Sequence, residues 1–391
     1  MIHHNNLLHN PQDDTWSAPV GFTYKDREAV DQLVHDGEIT RIIDPFDAIV
    51  DDIYEYAHPD KKDDKVFKAA YLQGANGDKE KYGTWFQFPW SGDLVRYPDR
   101  QDHYDLRTSR NRNIITSEEQ KKFQDANVFI AGLSVGRSVL GSFALAGIGK
   151  KFLLADFDAI SPSNLNRIPA TMSRVGTRKI VDAGRYLSEV DPYIEQIHLD
   201  QGYREDSFDV LQAFEPSLVI EEADDFHAKT IIRRDAQKLR AALVMGGDIG
   251  ERSIIDVERY DLNPNTKAFH GRLSGKNDLL KKLLDGEELS VAEKQSALMR
   301  LNRIQNLSPR LLSTALLIDK ELSGFPQPGT TVVMSGALTT FAAQEILAGR
   351  RMETGSYVFN PRSVLESESV TTLSEKIDIF RKVHKALKSS K

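Results

Sequence analysis

Val128-Phe129-Ile130-Ala131-Gly132-Leu133-Ser134-Val135-Gly136 is an apolar run that breaks onto glycine and then enters an amphipathic stretch, Ser138–Ala146. The first part reads as a buried strand and the second as a helix. Glycines at such a turn let backbone N–H groups approach phosphate oxygens, and the helix N-terminus favours their negative charge. Alone, the turn is not diagnostic. It is no G-x-G-x-x-G, and Gly147-Ile148-Gly149-Lys150 lacks the spacing of a Walker loop. Glycine used purely for packing gives the same pattern.

The alternation continues on both sides. Upstream, Thr116-x-x-Glu119 has capping-box spacing and opens a helix to about Asp125. Downstream come a strand at Phe152–Ala155, a helix at Lys179–Val190 ended by Asp191-Pro192, and strands at Ile194–Leu199 and Ser217–Ile220. A helix at Phe226–Arg240 and a strand at Ala242–Met245, before Gly246-Gly247, follow. Strands alternating with helices predict an α/β fold: a doubly wound, Rossmann-like, mostly parallel sheet with helices on both faces. Its ligand crevice belongs at the carboxyl ends of the strands. Further on, Asp278–Leu301 reads as helix interrupted at Gly286, Gly329–Met334 as strand-like, Ala337–Leu347 as helix and Ser356–Asn360 as strand. The tail Leu373–Lys388 places Ile377, Phe380, Val383 and Leu387 at helical spacing, a face suited to covering a neighbouring surface or a partner subunit.

Residues 1–105 differ in texture and predict a small α+β extension. Asp26–Val34 and Asp47–Ala57 read as helices, the second stopped at Pro59. Gly83–Trp90 and Leu94–Tyr97 read as a β-hairpin turned at Ser91-Gly92-Asp93. Such an extension suits a peptide-binding appendage or a layer packed on the main core. Residues 106–391 form the main domain, with a charged helical insert at about 261–322.

Composition narrows the classes. The chain has 391 residues, 51 basic and 58 acidic, for a net charge of −7, which argues against a general nucleic-acid binder. Cysteine is absent, which excludes disulfides, thiolate zinc sites and thioester chemistry on this chain. No apolar run approaches the roughly 20 residues of a membrane span, and no signal-peptide core follows Met1. A cytoplasmic protein is expected. The start, with His3, His4 and His9, reads as a loose terminus rather than a metal site.

The second strand ends Asp156-Phe157-Asp158, and an acidic residue at that tip is placed to hydrogen-bond ribose hydroxyls. Ser163-Asn164-Leu165-Asn166-Arg167 and Val175-Gly176-Thr177-Arg178-Lys179 follow, so amides and cations gather at the same edge. Glu221, Glu222, Asp224 and Asp225 end another strand. Four carboxylates this close repel unless they face water or a cation. Mg²⁺ bound with a triphosphate fits that pattern, and a solvated loop is the plain alternative.

These segments together resemble the ThiF/MoeB superfamily, the bacterial relatives of ubiquitin-activating enzymes. The family's Gly-rich loop, A-G-V-G, L-D-F-D, S-N-L-N/Q-R and V-G-x-x-K stand here as Gly132–Gly136, Ala146–Gly149, Ala155–Asp158, Ser163–Arg167 and Val175–Lys179. Arg110–Ile114 resembles the family's R-Y-x-R-Q-I. The resemblance implies ATP–Mg²⁺ binding and adenylation of a carboxylate. It assigns Gly132, Ser134 and Gly136 to the phosphate loop, Asp156 and Asp158 to the ribose side, and Asn164, Arg167 and Lys179 to the triphosphate. It makes Asp224 the Mg²⁺-linked aspartate and Arg112 the arginine that reaches the neighbouring subunit's phosphates, hence a homodimer. The chain also departs from the pattern. The loop is one residue shorter, with Ser134 and Val135 in place of glycines, Asp225 replaces an Asn, and the C-x-x-C zinc pairs are missing.

Relatives that activate ubiquitin-like or sulfur-carrier proteins usually pass the acyl group to sulfur. Relatives of the MccB (microcin) and pantocin-biosynthesis PaaA type need no thiol, activate a peptide, and carry an N-terminal peptide-binding extension. The resemblance therefore implies an enzyme activating a carboxylate of a ribosomal peptide in antibiotic biosynthesis, followed by condensation or dehydration. Trp85, Phe86, Phe88 and Trp90 would suit strand addition of that peptide. A carrier-protein C-terminus, an NAD-dependent oxidoreductase and a nucleotide-binding pseudoenzyme are the alternatives.

Overall fold

The computed structural model describes residues 9–77, 79–275, 278–303, 306–314, 316–318, 320–366 and 372–389, so His3 and His4 lie outside the described residues. The N-terminal part contains β1 (Val20–Phe22), α1 (Arg27–His35), β2 (Arg41–Ile43), α2 (Phe46–Ala57), α3 (Lys65–Gly77), β3 (Thr84–Phe88), β4 (Asp93–Tyr97) and α4 (Arg100–Thr108). Its sheet runs β1-β3-β4-β2, so the predicted hairpin is present as β3 and β4, with Asp93 already inside the second strand. Both edges of β3 are paired, to β1 and to β4. Phe86 and Phe88 are buried. The hairpin aromatics therefore cannot take an added strand, and the sheet's outer edges belong to β1 and β2 instead.

The main domain starts with α5 (Ser117–Gln124), whose N-terminus carries the expected capping box between Thr116 and Glu119. Then follow β5 (Asn127–Ala131), α6 (Val135–Ala146), β6 (Lys151–Ala155), α7 (Lys179–Val190), β7 (Glu195–Leu199), α8 (Phe208–Phe214), β8 (Leu218–Glu221), α9 (Phe226–Leu239), β9 (Ala242–Asp248) and β10 (Ser253–Arg259). After them come α10 (Leu279–Leu284), α11 (Val291–Asn302), α12 (Pro309–Thr314), α13 (Gly329–Ala348), β11 (Gly355–Phe359), α14 (Pro361–Val364) and α15 (Leu373–Ser389). The sheet order is β11-β10-β9-β8-β5-β6-β7, parallel from β9 to β7 and antiparallel at β10 and β11. This is the doubly wound, Rossmann-like, mostly parallel sheet that the sequence predicts.

Period-two alternation separates the two faces. Val128, Ile130, Phe152 and Leu154 pack with Leu140 and Phe143 of α6, Leu187 of α7 and Ala343 of α13. Phe129, Leu153 and Val219 point the other way, onto Leu211 of α8 and Ile231 and Ile232 of α9. The insert carries a separate small cluster of Phe269, Leu273, Leu279, Leu283, Leu289 and Ala297. Gly286, at φ +76°, separates α10 from α11, as expected. The tail helix packs on α12 and buries Val383, while Ile377 and Phe380 stay exposed. The Leu387 side chain lies outside the described residues.

Two elements depart from the sequence reading. Gly329–Met334 is not a strand but the first turns of the 20-residue helix α13. The β-branched Thr330-Thr331-Val332-Val333 favours a strand locally, yet tertiary packing overrides that preference. The helix crosses α6 so closely that a Cβ on Gly336 would meet Ser138 Oγ at 2.4 Å, and it bonds the sheet through Ser335 Oγ to Ser253 Oγ at 2.7 Å. By length and composition α13 alone among the described residues could cross a bilayer, but half of that window is buried in the fold. Strand β10 had no counterpart in the sequence reading. Its Asp256 and Glu258 look solvated in sequence but are buried, paired with Arg272 and Arg233.

The N-terminal layer is fastened to α7. Trp16 Nε1 donates to Ser188 Oγ (3.2 Å), Trp90 Nε1 to Glu189 Oε1 (2.8 Å) and Tyr97 Oη to the Glu189 carbonyl (2.8 Å). Arg107 adds an ion pair to Asp191 at 2.9 Å.

Candidate functional site

The carboxyl ends of β5, β6, β8 and β9 meet at one crevice. Gly132 leaves β5 at φ +87°, and a Cβ there would lie 2.3 Å from the Glu222 carbonyl oxygen, so only glycine fits. Asp156 at the tip of β6 fixes this loop: its Oδ2 accepts the Leu133 N–H (2.6 Å) and its Oδ1 the Asp158 N–H (2.8 Å). Burial raises its pKa, against the pull of Lys179. Both oxygens retain lone pairs for a ribose hydroxyl.

The predicted cations converge on the loop. Arg167 donates from Nε to Ser134 Oγ (3.1 Å) and from Nη1 to the Ser163 carbonyl (3.1 Å) and Asn166 Oδ1 (3.0 Å). The S-N-L-N-R segment is thereby folded against the glycine loop. Asn164 is buried and its Oδ1 accepts the Ser161 N–H (3.0 Å), a capping role, while its amide nitrogen makes no bond among the described residues. Lys179 opens α7 and donates to Asp158 at 2.8 Å. Gly136 packs over Ile130 and Glu222 in the first turn of α6.

The carboxylate quartet does not act together. Glu221 is fully buried and held by Lys229 (3.0 Å) and Arg233 (2.5 Å). Glu222 is buried, accepts the Gly246 N–H at 2.6 Å, and has its pKa pushed well up by desolvation. Asp225 caps α9 through the Ala228 N–H at 2.8 Å. Asp224 and Asp225 are both exposed, but Asp225 is engaged as the cap of α9 and only Asp224 makes no hydrogen bond or ion pair among the described residues, so the reading of four carboxylates around one cation fails. The local sequence uses the other three for architecture. Among the described residues no group of three or more His, Cys, Asp or Glu could hold a metal unaided. One free carboxylate still fits Mg²⁺, which is typically held by one or two carboxylates together with substrate phosphates.

Asp248, at the tip of β9, belongs to the crevice and was missed in the sequence. Its Oδ1 accepts from Gln327 (3.2 Å) and its Oδ2 is buried without a partner. Desolvation lifts its pKa to about 6, with Arg167 lowering it and Asp224 raising it. An acidic residue at a strand tip, directly after Gly246-Gly247, was the available signal. Arg112 is not brought to the crevice of its own chain. It lies exposed over the Tyr56 ring at 4.7 Å.

A family model described as the ThiF family matches residues 108–348. The chain belongs to the ThiF family. The matched span begins just before the Arg110–Ile114 segment and ends with α13, so it takes in the whole crevice. An uncharacterized protein of Mycobacterium tuberculosis is 31% identical over 277 residues, which is 71% of this chain and 38% of that protein. The chain thus spans little more than a third of that relative's length. The molybdopterin-synthase adenylyltransferase of Salmonella typhimurium is 29% identical over 175 residues, 43% of this chain and 70% of the relative. Among solved structures, E. coli MccB with ATP aligns over 65% of this chain and 70% of its own, at 16% identity and a TM-score of 0.43.

Proposed function

We propose that this ThiF-family chain is an ATP-dependent adenylyltransferase that activates a carboxylate of a peptide as an acyl-adenylate, in peptide natural-product biosynthesis. One observation carries the reading: Arg167 on Ser134, Lys179 on Asp158, the unpaired Asp224 and the half-satisfied Asp248 gather round one glycine-shaped loop at four neighbouring strand tips. Displacement at phosphorus mainly needs positioning and charge neutralisation, which cations at a helix start supply.

A carboxylate oxygen of the peptide attacks the α-phosphorus, the bond from that phosphorus to its bridging oxygen breaks, and pyrophosphate leaves. Arg167 and Lys179 stabilise the charge that grows on the phosphate oxygens. Asn164 offers a free amide donor to them, and Asp156 orients the ribose while holding the loop. Mg²⁺, when bound with the triphosphate beside Asp224, supplies further neutralisation. An amine within the peptide then attacks the acyl carbon, AMP leaves, and the amine loses its proton. No thiol on this chain is needed, which agrees with the absence of cysteine. Arg112, exposed and away from its own crevice, is assigned to the partner's phosphates in a homodimer. A cytoplasmic location completes the reading.

The second reading is adenylation of a carrier protein's C-terminus, favoured by the identity to a molybdopterin-synthase adenylyltransferase. The test is ATP–pyrophosphate exchange with purified protein, Mg-ATP and peptides encoded beside the gene, against β-grasp carrier proteins. Peptide-dependent exchange that Lys179→Ala abolishes is the expected result. Exchange with a carrier protein only would select the second reading, and a thermal shift by NAD⁺ without one by Mg-ATP would remove both.

A further inference from the structure

A cleft of about 600 Å³ lies between the N-terminal segment around Asp14, the tip of the β3–β4 hairpin, and helices α6 and α7. It shares the first turn of α6 with the glycine loop, but none of the residues named above at the strand tips lines it. Trp90, Arg137, Arg174, Asp182, Tyr186 and Glu189 form much of its wall.

Two guanidinium groups in this wall have unused donors. Arg137 is only 3% exposed, and its Nε is buried without a hydrogen-bond partner. Its nearest carboxylate oxygen, Asp182 Oδ2, is 3.5 Å from Nε, and the guanidinium lies 4.0 Å over the Tyr186 ring. The Arg174 side chain, half-buried, has no hydrogen bond or ion pair among the described residues. Arg185 in the same cleft differs. It donates to the Thr15 carbonyl at 2.7 and 3.1 Å and pairs with Asp14 at 3.3 Å. A buried guanidinium Nε–H without an acceptor is costly, and an arriving acceptor that takes up the group's remaining donors offsets that cost.

The acceptor's charge is limited by the same wall. Asp182 and Glu189 repel a phosphate dianion or a polyphosphate, whereas one carboxylate matches the fork of a guanidinium. Trp90 and Tyr186 add aromatic surface beside it. We propose that this cleft anchors a peptide through one carboxylate received by Arg137 and Arg174; this rests on the peptide-substrate reading above. The anchored carboxylate is distinct from the one that is activated, since the cleft holds none of those strand-tip residues.

The experiment measures binding of acetyl-Ala-Ala-Glu-Ala-Ala-amide and its glutamine counterpart by calorimetry. The proteins are full-length wild type, Arg137→Met and Arg174→Gln, each also melted with and without Mg-ATP. The wild type should prefer the glutamate peptide by about tenfold or more, as expected for hydrogen bonds to a charged group. Both variants should lose that preference, keep the Mg-ATP shift, and Arg137→Met should melt no lower than wild type. Equal affinity for the two peptides with the Mg-ATP shift intact would overturn the anchor alone. Loss of the Mg-ATP shift in the wild type would overturn the adenylation reading beneath it. Binding of inorganic phosphate through Arg137, without glutamate preference, would reassign the cleft to phosphate.

Discussion

The Lys179 ammonium stands 2.8 Å from the Asp158 carboxylate, and the Lys179 backbone N–H is held by the Asp158 carbonyl at the same distance. The tip of β6 and the start of α7 are thus tied twice, and the lysine is presented to the crevice by its own strand-end partner. Asp158 is half exposed, so the pair contributes little to folding, about 1 kcal/mol or less. Lys179→Ala should move the melting midpoint by no more than about 4 °C while erasing the Mg-ATP stabilisation, which is about 2.7 kcal/mol at a hundred times Kd. Differential scanning fluorimetry reads both quantities. A variant that keeps the Mg-ATP shift would remove Lys179 from the site.

Gly132→Ala tests the loop. The position needs φ +87°, and the added methyl would lie 2.3 Å from the Glu222 carbonyl oxygen and 2.5 Å from its carbon. Backbone must move, at a cost of about 1–3 kcal/mol or more. The urea midpoint should fall with an unchanged slope, and Mg-ATP should no longer shift the melt.

Asp248 makes stability depend on pH in a set direction. Its folded pKa of about 6 lies above the ordinary value of 3.8, so between those pH values the folded state binds more protons than the unfolded one. Stability contributed by the protonated carboxyl is therefore full below about pH 3.8 and is lost as pH rises through about 6. Asp248→Asn should be more stable than wild type at pH 7, with the gap closing below pH 4, in chelator-treated protein. A gap independent of pH would show that burial does not hold this carboxyl protonated.

Arg233→Met tests the buried charges under the crevice. Arg233 pairs with Glu221 at 2.5 Å and Glu258 at 3.1 Å, all three nearly or fully buried, and Tyr260 Oη donates to Glu258 at 2.7 Å. Removing the cation leaves Glu258 with the Tyr260 hydroxyl but no countercharge, and Glu221 with Lys229 as its one remaining cation, at a cost of about 3–5 kcal/mol. The loss should be largest at neutral pH and shrink as the orphaned carboxylates take up protons in acid. Equal loss at pH 5 and pH 8 in chemical denaturation would mean that packing, not charge, sets the role of Arg233.

Much of this architecture was legible from local pattern. The run Val128–Ala131, the capping box at Thr116 and the spacing from Asp156 to Lys179 each carry their own signal, because strand alternation, helix entry and strand-tip chemistry are short-range properties. The four acidic residues at the end of β8 were legible as a group but not in their roles. Whether Glu221 faces solvent or Arg233 depends on what α9 and β10 bring to it.

By itself, then, the sequence determined the doubly wound sheet, the glycine loop and the cations at its strand tips, since period, capping and turn chemistry act within a few residues. Tertiary structure alone decided that Thr331 and Val332 are helical, that Asp256 and Glu258 lie in a buried strand, that Asp248 joins the crevice, and that Arg137 is buried with its Nε unpartnered. Each of those outcomes depends on desolvation or packing against residues tens of positions away, and burial changes the free energy of a charge or a β-branched turn by more than local preference does.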